Sequence, residues 1–158
     1  MKRSEAEAFT RSLMASSGCL YLATVDEEGR PQIRAVSNLR DRRQFPSLAG
    51  FFRELEDPFV TYVATSTRSS KAIQLRRDPR VALYFCKPEK YHGAMLSGSM
   101  EVVKDREVKR RLWQEEWRSF WSRGPADPRF TVLRFVPEEA RGWSGEEQFH
   151  FALRAGAP

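Results

Sequence analysis

The stretch Thr61-Tyr-Val-Ala-Thr-Ser-Thr-Arg-Ser-Ser-Lys71, continued by Ala-Ile-Gln-Leu-Arg-Arg-Asp-Pro79, reads as a strand that delivers hydroxyls and cations to the start of a helix. Phe59 to Ala64 is β-branched and aromatic, as strands are, and Ser69 or Ser70 can cap a helix carrying Ile73 and Leu75. A helix beginning there offers unpaired N–H groups and the positive end of its dipole, and Lys71 adds a full charge in the first turn. Both suit a bound phosphate. The same residues are also what a capped helix after a strand requires, with Arg68 and Lys71 solvated. The glycines of a Walker A loop are missing.

Upstream, Ser4 to Ser16 has helical periodicity through Ala8, Phe9, Leu13 and Met14, with Ser4 as N-cap and Gly18 as the stop. Cys19 to Val25 is a nearly continuous apolar strand, and the turn Asp26 to Pro31 returns it as Gln32 to Ser37, a β-hairpin. In that second strand Arg34 shares a face with Gln32, away from Ile33 and Ala35, which also fits an exposed strand cation. Asn38 to Pro58 is a long connection with one helical turn around Leu48, Phe51 and Phe52, read as a lid.

Downstream, Pro79 stops the helix and Arg80 to Cys86 forms a central strand. A long bent strand follows from Ala94 to Val103, with Gly98 marking a bulge. Asp105 caps a helix expected over 105–121, its stripe running through Val108, Leu112, Trp113, Trp117, Phe120 and Trp121. Gly124 to Pro128 breaks it. Phe130 to Val136 and two short segments, Glu139 to Trp143 and Gln148 to Leu153, complete six to eight strands. The expectation is one mainly β domain over residues 1–158, an antiparallel barrel with an N-terminal helix over 1–17 and further helices outside it.

Composition narrows the function classes. With 158 residues, 41% hydrophobic and 12% aromatic, the chain is long enough for one buried core and is not a disordered sequence. No apolar run approaches the ~20 residues of a membrane helix, and no secretory leader is visible, which points to a cytoplasmic protein. Cys19 and Cys86 lie in strand-like runs and read as free core thiols. Two histidines without nearby cysteines or spaced carboxylates do not make a metal site, and His150 falls on a polar strand face. The net charge of +6 gathers at Arg40-Asp-Arg-Arg43, Arg76-Arg77 and Lys109-Arg-Arg111. Such clusters attract nucleic acid or an anionic cofactor, but acids interrupt them or helix faces carry them, which fits solvated surface better.

Three blocks together resemble the FMN-binding split barrel of the pyridoxamine 5'-phosphate oxidase-like superfamily, in particular its short general-stress-protein-like members. They are Leu22 to Val36, with a Gly-x-Pro turn and an Arg-x-Val strand; Thr65 to Phe85, with a Ser-x-Lys helix and an Asp-Pro stop; and Leu96 to Asp105 with the Trp-rich segment, Gly124 to Pro128 and Val132 to Pro137. The resemblance implies an FMN phosphate neutralised by Arg34 and Lys71 and cradled by Ser69 and Ser70. Thr65 and Ser66 would meet the isoalloxazine edge, and the backbone of Ala35 and Val36 would pass along the ring. It places His92 and Gly93 beside the flavin, against the simpler alternative of a loop histidine in water. It further implies a homodimer with the flavin at the interface, where Trp117 or Trp121 covers the ring or, alternatively, packs with Trp113 on the barrel.

True pyridoxamine 5'-phosphate oxidases also close the Arg-x-Val strand with a lysine and grip substrate with a C-terminal Arg/His-Asp-Arg segment. Here the corresponding stretches read Arg34-Ala-Val-Ser-Asn-Leu39 and Arg141 to Phe151, without that clamp. The expected function is therefore FMN-dependent redox chemistry on an unidentified small molecule, with no residue named as general acid or base. Alternatives are a flavin-binding or stress protein without turnover, a deazaflavin in place of FMN, a haem protein ligated by His92, and, in another class, a basic nucleic-acid-binding domain.

Overall fold

A computed structural model describes residues 1–154 of the chain. Alternating burial builds the sheet: in β1 (Cys19–Val25) every second residue, from Leu20 to Thr24, is buried, and β2 (Pro31–Ser37) alternates exposed with half-buried positions. Their hairpin pairs Cys19 with Ser37 through Val25 with Pro31. β3 (Thr61–Ser66), β4 (Arg80–Lys87), β5 (His92–Val102), β6 (Phe130–Ser144) and β7 (Glu147–Ala152) complete seven antiparallel strands in the order β2-β1-β4-β5-β6-β3, with β7 added to β6. The end strands β2 and β3 approach each other without a ladder, so the sheet curls into a split barrel. Its core holds Leu20, Leu22, Leu83, Phe85, Leu96 and Phe135, and α1 (Arg3–Met14) packs its Ala6, Leu13 and Met14 against that core.

A second apolar cluster lies under α2 (Ala49–Arg53) and α4 (Arg106–Leu112), where Phe51, Phe52, Tyr62, Leu112, Trp121 and Phe130 are buried. α3 (Ser70–Arg77) bridges β3 and β4. No helix among the described residues is long and apolar enough to cross a membrane.

Several elements differ from the sequence reading. The helix expected over 105–121 stops at Leu112. Trp113 turns extended (φ −59°, ψ 137°), and a 3₁₀ turn over Glu115–Ser119 follows. The break lets Trp113, Trp117 and Trp121 converge on Phe130, with ring centroids 5.2, 5.9 and 4.9 Å away. The N-terminal helix spans Arg3–Met14 rather than 1–17, and Lys2, not Ser4, occupies the cap position, its N–H bonded to Glu5 Oε2 at 3.0 Å. Phe130 to Val136 and Glu139 to Trp143 are one strand of 15 residues. Pro137 is tolerated within it because it faces Gly98, where the β5–β6 register slips, and a side chain at Gly98 would collide with the Val136 carbonyl. Cys19 and Cys86 are free but not core thiols. Strand alternation puts them, half-buried, on the outer face with Tyr21 and Tyr84.

Candidate functional site

The segment Thr65 to Lys71 forms one compact turn. Ser69 caps α3, its hydroxyl oxygen accepting from Ala72 N (3.3 Å) and from Thr65 Oγ1 (3.1 Å). Having accepted twice, that hydroxyl keeps its own proton for an outside acceptor. The first-turn N–H groups of Ser70 and Lys71 have no intrahelical carbonyl to bond. Cap hydroxyl, free amides and ammonium thus gather at one helix end.

Arg34 approaches this end from β2. Its guanidinium donates to Thr24 Oγ1 (2.6 Å), to the Leu22 and Gln32 carbonyls (3.3 and 3.2 Å) and to Gln74 Oε1 (3.0 Å), while Thr24 also donates to Gln74 (2.6 Å). All of these acceptors are neutral, and the Nε hydrogen takes no acceptor among the described residues. Burial lowers the pKa of Arg34, and burial followed by the nearby Arg34 charge lowers that of Lys71. Neither cation joins an ion pair among the described residues. Two partly desolvated positive charges therefore sit together without a carboxylate, which favours an incoming anion.

Beside them opens a cavity of about 530 Å³ between β2 and β3. Ala35, Val36 and Ser37 form one wall and Ala64, Thr65 and Ser66 the other; Lys71 stands at one end and Trp121 with Phe120 at another. Of the residues singled out in the sequence, Ala35, Val36, Thr65, Ser66, Lys71 and Trp121 line this space, with Arg34 and Ser69 next to it through the contacts above; the Ser70 side chain instead lines a separate groove with Asp26, Glu27, Glu28 and Gln74. Trp117 stands off the wall, edge-on to Phe45 at 6.3 Å. His92 lies elsewhere, half-buried and edge-on to Phe9 of α1 at 5.0 Å. Gly93 is on the outer face, where a side chain would strike the Tyr84 hydroxyl and Trp143.

Gly18, Cys19, Gln44 and Phe120 also line the cavity and were not read from sequence as site residues. They come from three separate segments, so no local spacing joins them. The nearest signal is Phe120, beside Trp121 in the apolar stripe, followed by Gln44, in the stretch read as a lid. Among the described residues no group of three or more His, Cys, Asp or Glu side chains could hold a metal ion. The wall carries no carboxylate or histidine, so its chemistry is that of hydroxyls, amides, aromatics, one thiol and one ammonium.

Comparisons with known proteins bear on the family and the fold. The family model described as pyridoxamine 5'-phosphate oxidase matches residues 6–144. No curated protein matches the chain. Among solved structures, a protein from Clostridium acetobutylicum related to general stress protein 26 of B. subtilis, of the pyridoxinephosphate oxidase family, has a TM-score of 0.69 at 23% identity, over 95% of this chain and 93% of its own. General stress protein 26 from Bacillus anthracis has a TM-score of 0.69 at 16% identity, over 93% and 99%. A heme binding protein from Mycobacterium smegmatis has a TM-score of 0.69 at 17% identity, over 96% of this chain and 60% of its own. At these identities the likeness is one of fold.

Proposed function

Because the chain belongs to the pyridoxamine 5'-phosphate oxidase family, we propose that it binds FMN in the β2–β3 cavity and serves as an oxidoreductase toward a small molecule. The observation that carries this reading is the pair of half-buried cations, Arg34 and Lys71, lying without a carboxylate beside the free end of α3. A phosphate there accepts hydrogen bonds from the Ser69 hydroxyl and the Ser70 and Lys71 amides and meets the Lys71 charge. The two strand walls, lined by Ala35 to Ser37 and Ala64 to Ser66, suit a flat ring, with Thr65 and Ser66 as hydrogen-bonding groups along its edge. FMN, when bound, supplies two-electron redox chemistry. The chain binds its phosphate, orients the ring and keeps positive charge nearby.

Pyridoxamine phosphate itself is a poor fit as substrate. Near the C-terminus, Arg141 and His150 both pair with Glu139 (2.6 and 2.9 Å), so neither offers a free charge to a second phosphate. A haem in this cavity would find no histidine on its wall.

The site also supports a homodimer. Cys19 and Ala35 belong both to the cavity wall and to the outer sheet face, which continues through Tyr21, Ile33 and Tyr84 to Trp143; Ile33 is 71% and Trp143 41% exposed. A second copy on that face closes the cavity, whose rim carries the 69% exposed Phe120.

The test is a titration of purified protein with FMN, followed by absorbance and flavin fluorescence. Lys71→Ala and Arg34→Ala are each expected to weaken binding about 10- to 100-fold, the scale of hydrogen bonds to a charged group. Full affinity in both variants would remove the phosphate assignment, and wild-type protein that cannot be loaded would remove FMN.

A further inference from the structure

On α1 and the connection between β2 and β3 lies a second cavity, of about 600 Å³, sharing no lining residue with the first. Arg11 reaches it from α1, Arg40, Arg42 and Arg43 from the turn after β2, and Arg53 from the end of α2. No carboxylate lines it. Other arginines of the described chain, such as Arg3, Arg80 and Arg129, pair with an acid, yet none of these five joins an ion pair among the described residues. The acid inside the run, Asp41, is buried and already accepts from Arg43 N (2.9 Å) and Gln44 Nε2 (2.8 Å).

Arg40 fixes the floor. Its guanidinium lies over the Phe52 ring at 4.5 Å and donates to the Val60 carbonyl from Nε (2.9 Å) and from Nη2. Burial lowers its pKa to about 10, against the favourable charge of Asp57, so it stays cationic at neutral pH. The negative end of α1, which could repel an anion here, is covered. The carbonyls of Ser12 to Ala15 accept from Ser16 Oγ, from the Ser16 and Ser17 amides, from Asn38 Nδ2 and from Arg42 N.

We propose that this cavity is a second anion site, taking a small ligand with a pyrophosphate group, of which nucleoside polyphosphates are the fitting class. Guanidinium forks bind phosphate oxygens in pairs, and the forks of Arg11, Arg42, Arg43 and Arg53, added to the charge of Arg40, exceed what one phosphate can use. The volume is that of a small-molecule pocket, and Leu55, Pro58 and Ala49 give the ligand's remaining body an apolar wall. A concave, bounded site also suits a small molecule better than a duplex backbone.

The experiment is calorimetric titration with inorganic pyrophosphate, inorganic tripolyphosphate and ATP, run on protein with and without FMN. One saturable site per chain is expected. Tighter binding of ATP than of tripolyphosphate identifies a nucleotide, and the reverse order an inorganic polyphosphate. Arg42→Ser and Arg53→Ser, both at exposed positions, should each reduce affinity at least about tenfold while leaving FMN binding unchanged. Arg106→Ser, an exposed arginine of α4 without an ion pair, should leave it intact, and Lys71→Ala should weaken FMN alone. The proposal is overturned by absent saturation with all three probes, by equal loss in Arg106→Ser, or by one-for-one displacement of ATP by FMN.

Discussion

Thr24 and Gln74 hold Arg34 through neutral acceptors only, so the fold positions its charge without cancelling it. Lys71 feels the consequence, because its ammonium is disfavoured first by burial and then by Arg34. Only protonated Lys71 attracts a phosphate, and a lowered pKa means the charge is lost at a lower pH than in a free lysine. FMN affinity should therefore decline on the alkaline side, starting below the ~10.4 of an unperturbed lysine and continuing to the higher pKa of the complex. Lys71→Arg should bind FMN with a flat profile over the same range. Flavin fluorescence titrations from neutral pH to about pH 10.5 test this. A flat wild-type profile, or the same decline in Lys71→Arg, would exclude Lys71 as the titrating group. The cap serine and the lysine were legible in sequence because Ser69 and Lys71 lie two positions apart. Gly18, Cys19 and Gln44 were not, since only tertiary folding brings them to the same wall.

At the scale of elements, strand alternation was readable wherever one face is buried, and Gly98 announced its bulge. The helix end at Leu112 was not readable, because Val108, Leu112, Trp113, Trp117 and Trp121 keep the spacing of a helical stripe whether or not the backbone stays helical. What decides is packing against Phe130, a residue 17 positions beyond Trp113 that the stripe cannot display. The following turn is tied by Asp127, fully buried, whose carboxylate accepts from the Arg123 and Arg129 amides (3.2 and 2.9 Å) and from the Arg129 guanidinium (2.9 Å). The Arg129 guanidinium first of all, with these amides, holds this carboxyl well below the usual range. A depressed carboxylate contributes stability above its unfolded pKa of ~3.9, which is lost as the pH falls through the folded value. Asp127→Asn should lower Tm by about 5 °C at neutral pH and lose less stability than wild type on acidification below about pH 4. Parallel acid titrations of stability in the two proteins would rule this out. In the same variant the cavity wall at Trp121 should loosen, and FMN binding should weaken less than in Lys71→Ala.

For the whole molecule, the outer face of β1, β2 and β4 is the surface on which a second copy would act. Ile33, Tyr21, Ala23 and Tyr84 lie in neighbouring register rows there, and the free thiols Cys19 and Cys86 flank them. Each copy carries +6, so two copies repel over distances beyond the face itself. If apolar contact drives their association, added salt screens the repulsion and should tighten the dimer, whereas a dimer held by ion pairs would loosen. Sedimentation velocity at low and high salt distinguishes these cases. Ile33→Glu, which places a carboxylate in the middle of the face, should yield a monomer that is as stable as wild type, since Ile33 contributes nothing to the core. That monomer should bind FMN at least about tenfold more weakly although Arg34 and Lys71 are intact, because the ring then faces water on the side the second copy would close. Wild-type protein that sediments as a monomer and still holds FMN tightly would separate the flavin site from the outer face, and the cavity between β2 and β3 would then have to be sufficient by itself.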